Sequence, residues 1–211
     1  FLMIRRPPRS THCISSAASD VYRDRSNTQA LVDLVTKNMN SLGVTVDTVH
    51  LKELNFEHTT DNVNDNLTPH LVDVVKNCDM VSIATPIWWG VQSSLAQGLI
   101  ERFDPIDSWG QDNDFYALYN KVFGTIVSGG GDGFQHIHGN LYNMASNMGM
   151  TVPPTSNLEI ATQGREEIMK DKDAKRWIDI WCRNMTTWAT ILKKANPSKY
   201  VQHNTNRPKY T

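Results

Sequence analysis

Apolar positions along this chain switch repeatedly between a helical and a strand period. Leu31, Leu34, Val35, Met39 and Leu42 recur at three- and four-residue steps, which predicts a helix. Ser26-Asn27-Thr28 offers N-cap chemistry before it and Gly43 a stop after it. Val44 to Leu51 alternates and is rich in β-branched residues, so a strand follows. Asn55 to Asn66 is polar and predicts a long loop. A helix is expected from about Thr68 to Asn77, with Pro69 in its first turn. Asp79 to Pro86 is compact and largely apolar, the pattern of a strand buried on both faces of a parallel sheet.

Beyond a turn at Pro86-Ile87-Trp88-Trp89-Gly90, Ser93 or Ser94 caps a helix carrying Leu95, Leu99, Ile100 and Phe103. Residues 104–119 read as irregular and aromatic. A strand is expected over Lys121 to Val127 and a helix over Phe134 to Asn147, ended by Gly149. Thr151-Val152 opens a fifth strand that Pro153-Pro154 interrupts, with Leu158-Glu159-Ile160 near its end. One last helix is predicted from Arg165 to Ala195, with Ile168, Trp177, Ile180, Trp181, Met185, Trp188 and Leu192 on a core-facing stripe. This alternation predicts an α/β fold with a parallel sheet and right-handed crossovers. Ligands in such sheets sit at the carboxyl ends of the strands. Three loops therefore matter, near Ser26, Pro86 and Gly129.

Composition narrows the picture. The 211 residues suit one domain, and 39% hydrophobic with 20% charged residues is a globular balance. A net charge of -1 gives no electrostatic case for nucleic acid, and no apolar run reaches membrane-span length. Cys13, Cys78 and Cys182 form no CxxC pair, which fits free thiols in a reducing, cytoplasmic compartment. Residues 1–22 differ from the rest: apolar, then basic with Pro7-Pro8, then Ser/Ala-rich. The string resembles a translated sequencing-adapter artefact, so we expect a non-native or disordered leader over 1–22. The domain is then expected over 23–196 and a flexible tail over 197–211, with natural sequence starting near Arg23 to Ser26 and an incomplete N-terminus.

The three loops carry the candidate chemistry. Ser26, Asn27 and Thr28 stand at a helix N-terminus, where unpaired N–H groups and the helix dipole attract phosphate. Thr85, Pro86, Ile87, Trp88, Trp89 and Gly90 present two indoles at a strand end, suited to stacking on a planar ring. Ser128, Gly129, Gly130, Gly131 and Asp132 let backbone approach a ligand closely. The glycine pattern matches neither GxGxxG nor a Walker loop. His136 and His138 form an HxH, but no further ligands gather nearby in sequence, so we expect no metal; His136 near a ligand edge is a second role for that pair.

From about Ser26 to Ile160 the chain resembles the NAD(P)H-dependent FMN reductase branch of flavodoxin-like proteins. The likeness is closest at TPIWWGVQSSLAQGLIERF and SGGGDGF. It implies a flavodoxin-like three-layer sandwich on a parallel five-stranded sheet, whose first strand here is missing or replaced. It implies FMN as cofactor, with Ser26, Asn27 and Thr28 on the phosphate, and Pro86 to Gly90 and Ser128 to Asp132 on the ring. It further implies NAD(P)H as co-substrate, electron transfer to a quinone, flavin or similar small acceptor, and a homodimer or homotetramer. Such chemistry belongs to the cofactor, so no catalytic side chain is nominated. Two rival functions remain at this stage. One is a non-enzymatic electron carrier, against which the near-neutral charge argues. The other is a non-redox α/β protein, either an interaction module or a hydrolase lacking the GxSxG elbow.

Overall fold

The computed structural model describes residues 2–5, 26–113, 115–161 and 164–196. Apart from the backbone of residues 2–5, the expected leader lies outside the described residues, as does the expected tail. The strands are β1 Leu2–Arg5, β2 Thr45–Thr48, β3 Met80–Trp88, β4 Val91–Gln92, β5 Val122–Gly129 and β6 Asn157–Ala161. The helices are α1 Asn27–Ser41, α2 Thr68–Asn77, α3 Ser94–Glu101, α4 Asp104–Asp112, α5 Phe134–Asn147, α6 Arg165–Lys170 and α7 Lys172–Ala195.

The main sheet has the order β2-β1-β3-β5-β6. β3, β5 and β6 pair in parallel, Met80 opposite Val122 and Ser128 opposite Ile160. The expectation of five parallel strands needs one correction. β1 lies antiparallel to both β2 and β3, with Ile4 opposite Val46 and Met80. The slot between β2 and β3 exposes backbone donors and acceptors on both sides, and a short strand of either direction satisfies them.

Helices cover both faces. On one, α1, α6 and α7 bury Leu31, Val35, Met39, Ile168, Trp181 and Met185 against Met80, Ala84, Val122 and Ile126. On the other, residues of α2, α3 and α5 such as Leu71, Leu99, Ile137 and Leu141 pack on Val81, Ile83, Phe123 and Val127. β3 and β5, central in the sheet, feed both layers, which explains their nearly unbroken apolar runs. Trp181 presses on the bare backbone of Gly124, where an added Cβ would stand 2.7 Å from its ring, and its indole N–H donates to the Ser156 carbonyl at 2.6 Å.

Three local expectations also change. The stretch after Phe103 is helical: α4 opens with Pro105 in its first turn, where a missing N–H costs nothing. The last helix is two, because Asp171 caps α7 by accepting from the backbone N–H groups of Asp173 at 2.8 Å and Ala174 at 3.2 Å. The inward stripe of α7 is Ala174, Ile178, Trp181, Cys182, Met185, Ala189 and Leu192; Trp177 faces outward, half exposed. Cys78 and Cys182 are buried cysteines, and burial pushes the Cys182 thiol up. Among the described residues no helix is long and apolar enough to cross a membrane.

Candidate functional site

The three nominated loops meet at one rim of the sheet. Ser26 is the N-cap of α1, its hydroxyl accepting from the Gln29 N–H at 3.1 Å. Thr28, in the first turn, lies inside the protein with its hydroxyl 2.7 Å from that of Ser128 at the end of β5. This one bond, between residues a hundred positions apart, fixes the start of α1 beside the glycine loop. Asn27 between them is partly exposed, at the start of α1, where the first N–H groups of a helix lack intrahelical acceptors.

The indole loop is a hairpin rather than an open turn. β3 continues through Pro86, Ile87 and Trp88, and β4 folds back, with Ile87 opposite Gln92 and Trp88 opposite Val91. Trp89 and Gly90 form the two-residue connection with φ of 53° and 81°. Both positive values identify the left-handed hairpin geometry that suits strand twist, which Gly adopts freely and Trp does not. Trp88 is 49% exposed and Trp89 98%. Thr85 sits below, fully buried, accepting from the Ser93 N–H at 3.1 Å while Ser93 caps α3 through the Ala96 N–H at 3.2 Å. Its role in the hairpin is to anchor the return strand.

The glycine loop leaves β5 at Gly129 and enters α5 at Gly133. Gly130, Gly131 and Asp132 are exposed. Gly129 backs onto Ile87, where an added Cβ would come within 2.8 Å of the Ile87 side chain. Gly133 has φ 88°, and a Cβ there would stand 2.3 Å from the Gly90 carbonyl oxygen. The hairpin and the glycine loop thus touch backbone to backbone. Gly133 lies one residue beyond the nominated set, yet it makes the closest approach. The four glycines in the loop were visible in sequence, but their partner at Gly90 was not. Bare backbone, exposed indole and a helix N-terminus on one rim form a cradle whose chemistry fits a planar ring carrying a phosphate.

The two histidines part company. His136 is exposed on α5. His138 is buried with Nδ1 2.7 Å from the Thr125 hydroxyl, and Tyr142 links Thr125 at 3.3 Å to the Ser156 hydroxyl at 3.0 Å. Its Nε2 stands 3.2 Å from Glu159 Oε1 but is not aligned for a hydrogen bond. Burial pushes the His138 pKa down, with the Glu159 carboxylate pulling the other way. Burial likewise raises the Tyr142 phenol. Among the described residues no group of three His, Cys, Asp or Glu side chains could hold a metal ion.

At the C-terminus of α3, Arg102 orders the long polar loop. Its guanidinium donates to the carbonyls of Glu57 at 3.3 Å and Val63 at 3.0 Å, to the Thr68 hydroxyl at 3.1 Å and to the Asp65 carboxylate. Burial tends to raise the Asp65 pKa, but Arg102 and the backbone N–H groups of Glu57 and Leu67 outweigh it and hold the group at about 2.

A family model described as NADPH-dependent FMN reductase matches residues 19–164. The chain belongs to that family. Among curated proteins, 8-demethyl-8-aminoriboflavin-5'-phosphate synthase of Streptomyces davaonensis is 28% identical over 143 residues, covering 63% of this chain and 56% of the relative. A divalent metal cation transporter of Mycobacterium bovis is 28% identical over 141 residues, 63% of this chain and 20% of the transporter. The chain therefore spans about half the length of the first and a fifth of the second. Among solved structures, RosB with bound 8-demethyl-8-formylriboflavin-5'-phosphate superposes with a TM-score of 0.76 at 22% identity, over 94% of this chain and 92% of that one. A flavone reductase gives 0.65 at 18% identity, over 89% and 65%. An archaeal flavodoxin gives 0.56 at 12% identity, over 85% and 97%. The fold of this FMN reductase family member is flavodoxin-like.

Proposed function

We propose that this FMN reductase family member is an FMN-dependent oxidoreductase that passes electrons from NAD(P)H to a quinone, a flavin or a similar small acceptor. One observation carries the reading: the Trp88–Gly90 hairpin and the Gly129–Gly133 loop converge at the rim where α1 begins. Ser26, Asn27 and Thr28 would present the helix N–H groups to the FMN phosphate. Trp88, with the backbone of Ile87 and Gly90, would flank one side of the ring, and Ser128 to Asp132 the other. Pro86 stiffens the approach to the hairpin, and Thr85 holds its return strand in place. Bound FMN would supply two-electron chemistry, while the protein orients it and limits water at its ring. A flavin phosphate bound in a protein of the same fold supports this assignment. We further propose cytoplasmic location and a homodimer or homotetramer.

The test is direct. Purified full-length protein titrated with FMN is expected to quench flavin fluorescence saturably and to oxidise NAD(P)H steadily when a quinone is added. Binding without steady turnover would make the protein a carrier. No binding at all would overturn the assignment. Light scattering would show the subunit count, a monomeric mass removing the oligomer.

A further inference from the structure

Away from the rim, the outer side of β6 is a sheet edge, since β6 pairs only with β5 among the described residues. A cavity of about 490 Å³ opens there, lined by Thr155, Asn157, Leu158, Glu159 and Trp177. Its volume falls in the range of small-molecule sites. Two of its walls are unusual for a fold surface. Trp177 turns its indole outward from α7, half exposed, instead of joining the buried stripe of that helix. Glu159 points from the strand with its side chain 37% exposed.

The Glu159 carboxylate is held but not neutralised. Oε1 takes the Asn157 side-chain N–H at 3.0 Å and faces His138 Nε2 at 3.2 Å. No described residue bonds Oε2. The neighbouring imidazole is 5% exposed, and burial pushes its pKa down. Nε2 itself has no aligned partner, although it lies behind the carboxylate and is enclosed by Phe134 and Tyr142. Glu159 and Trp177 both line this cavity, so a positive group entering it has a carboxylate and an indole to meet, the two features that favour organic cations.

The geometry points to a binding site for a small organic cation, a primary ammonium or guanidinium group, between Glu159 and Trp177 at the β6 edge. Glu159 supplies the charge and the acceptor, Asn157 fixes the carboxylate plane, and Trp177 supplies the π face. The site is separate from the flavin cradle and does not depend on that assignment.

The probe is n-butylammonium, with 1-butanol as its neutral isostere, at matched ionic strength. Indole and backbone N–H signals of the ¹⁵N-labelled full chain report occupancy, with the Trp177 signal assigned by its loss in Trp177→Phe. Butylammonium is expected to shift Trp177 and residues 157–159 saturably, and butanol to leave them unmoved. Glu159→Gln keeps the side-chain shape and is expected to weaken binding about tenfold or more, the scale of a charge-assisted bond. Trp177→Leu, read at the backbone of Asn157, is expected to weaken it roughly fivefold. Non-saturable shifts, equal shifts with butanol, or unchanged affinity in a folded Glu159→Gln protein would overturn the site. Should that variant fail to fold, the butylammonium and butanol comparison in the unaltered protein decides.

Discussion

At the carboxyl rim the surface of the proposed cradle is mostly backbone. Gly133 meets Gly90 with no side chain between them, and the polar side chains nearby, Thr28 and Ser128, are turned inward onto each other. At the β6 edge the opposite holds: Glu159 and Asn157 project from ordinary strand and Trp177 from α7. The two regions share a sheet and a neighbour, β5, yet they should respond to substitution in different ways. A backbone-built surface tolerates no added atoms but is insensitive to charge. A surface built of side chains is sensitive to charge and tolerates changes of shape.

The sharpest way to break this contrast is Gly133→Ala. Its methyl must displace the Gly90 carbonyl, and its φ of 88° is costly for alanine. We expect a loss of about 3 kcal/mol or more in denaturant unfolding, with FMN affinity abolished. Thr28→Val removes one hydroxyl and strands that of Ser128, at a cost of about 1–3 kcal/mol in the same assay. Trp88→Ala is expected to weaken FMN by about 1–2 kcal/mol in a fluorescence titration, with folding stability little changed. Unaltered affinity would remove Trp88 from the cradle.

The edge is probed by pH. Burial depresses the His138 pKa below its usual 6.5, so the unfolded chain takes up that proton at higher pH than the folded one. The stability it contributes is complete above about pH 6.5 and is lost as pH falls through the lower folded value. His70, also depressed by burial, adds to the same slope. Unfolding midpoints across pH 7 to 5 should therefore decline, and His138→Phe should flatten the decline without abolishing it. The smallest expected effect has the reverse sign. Trp89→Gly relieves a left-handed residue and should raise stability by about 1 kcal/mol, while removing an exposed indole from the rim.

Much of this fold was legible because its signals are local. The apolar runs of β3 and β5, the Ser26 and Ser93 caps and the stop at Gly149 each declare themselves within a few residues. The misreadings have physical causes. The sequence pattern ends β3 at Pro86, but β1 reaches only to Ser82, so among the described pairings that side of β3 is open where Pro86 lacks its N–H. Asp171 resembles any exposed acidic residue of a long helix until its carboxylate is seen capping α7. Trp177 reads as part of the buried stripe because tryptophan is heavily apolar, while the adjacent Ile178 holds the inward angle. The candidate site was readable loop by loop. Its assembly was not, because Thr28 with Ser128 and Gly90 with Gly133 are relationships between distant segments.

The grip of Trp181 on Gly124 bears on where this protein can be cut. The family match stops at residue 164, before α6 and α7 begin. Yet those helices roof the strand that ends in the glycine loop, and the indole seals its crevice from above. A fragment trimmed to the matched region would uncover Val122, Ile126 and Leu158 to water and should precipitate rather than fold. The matched segment is thus expected to be shorter than the smallest unit of this chain able to stand alone.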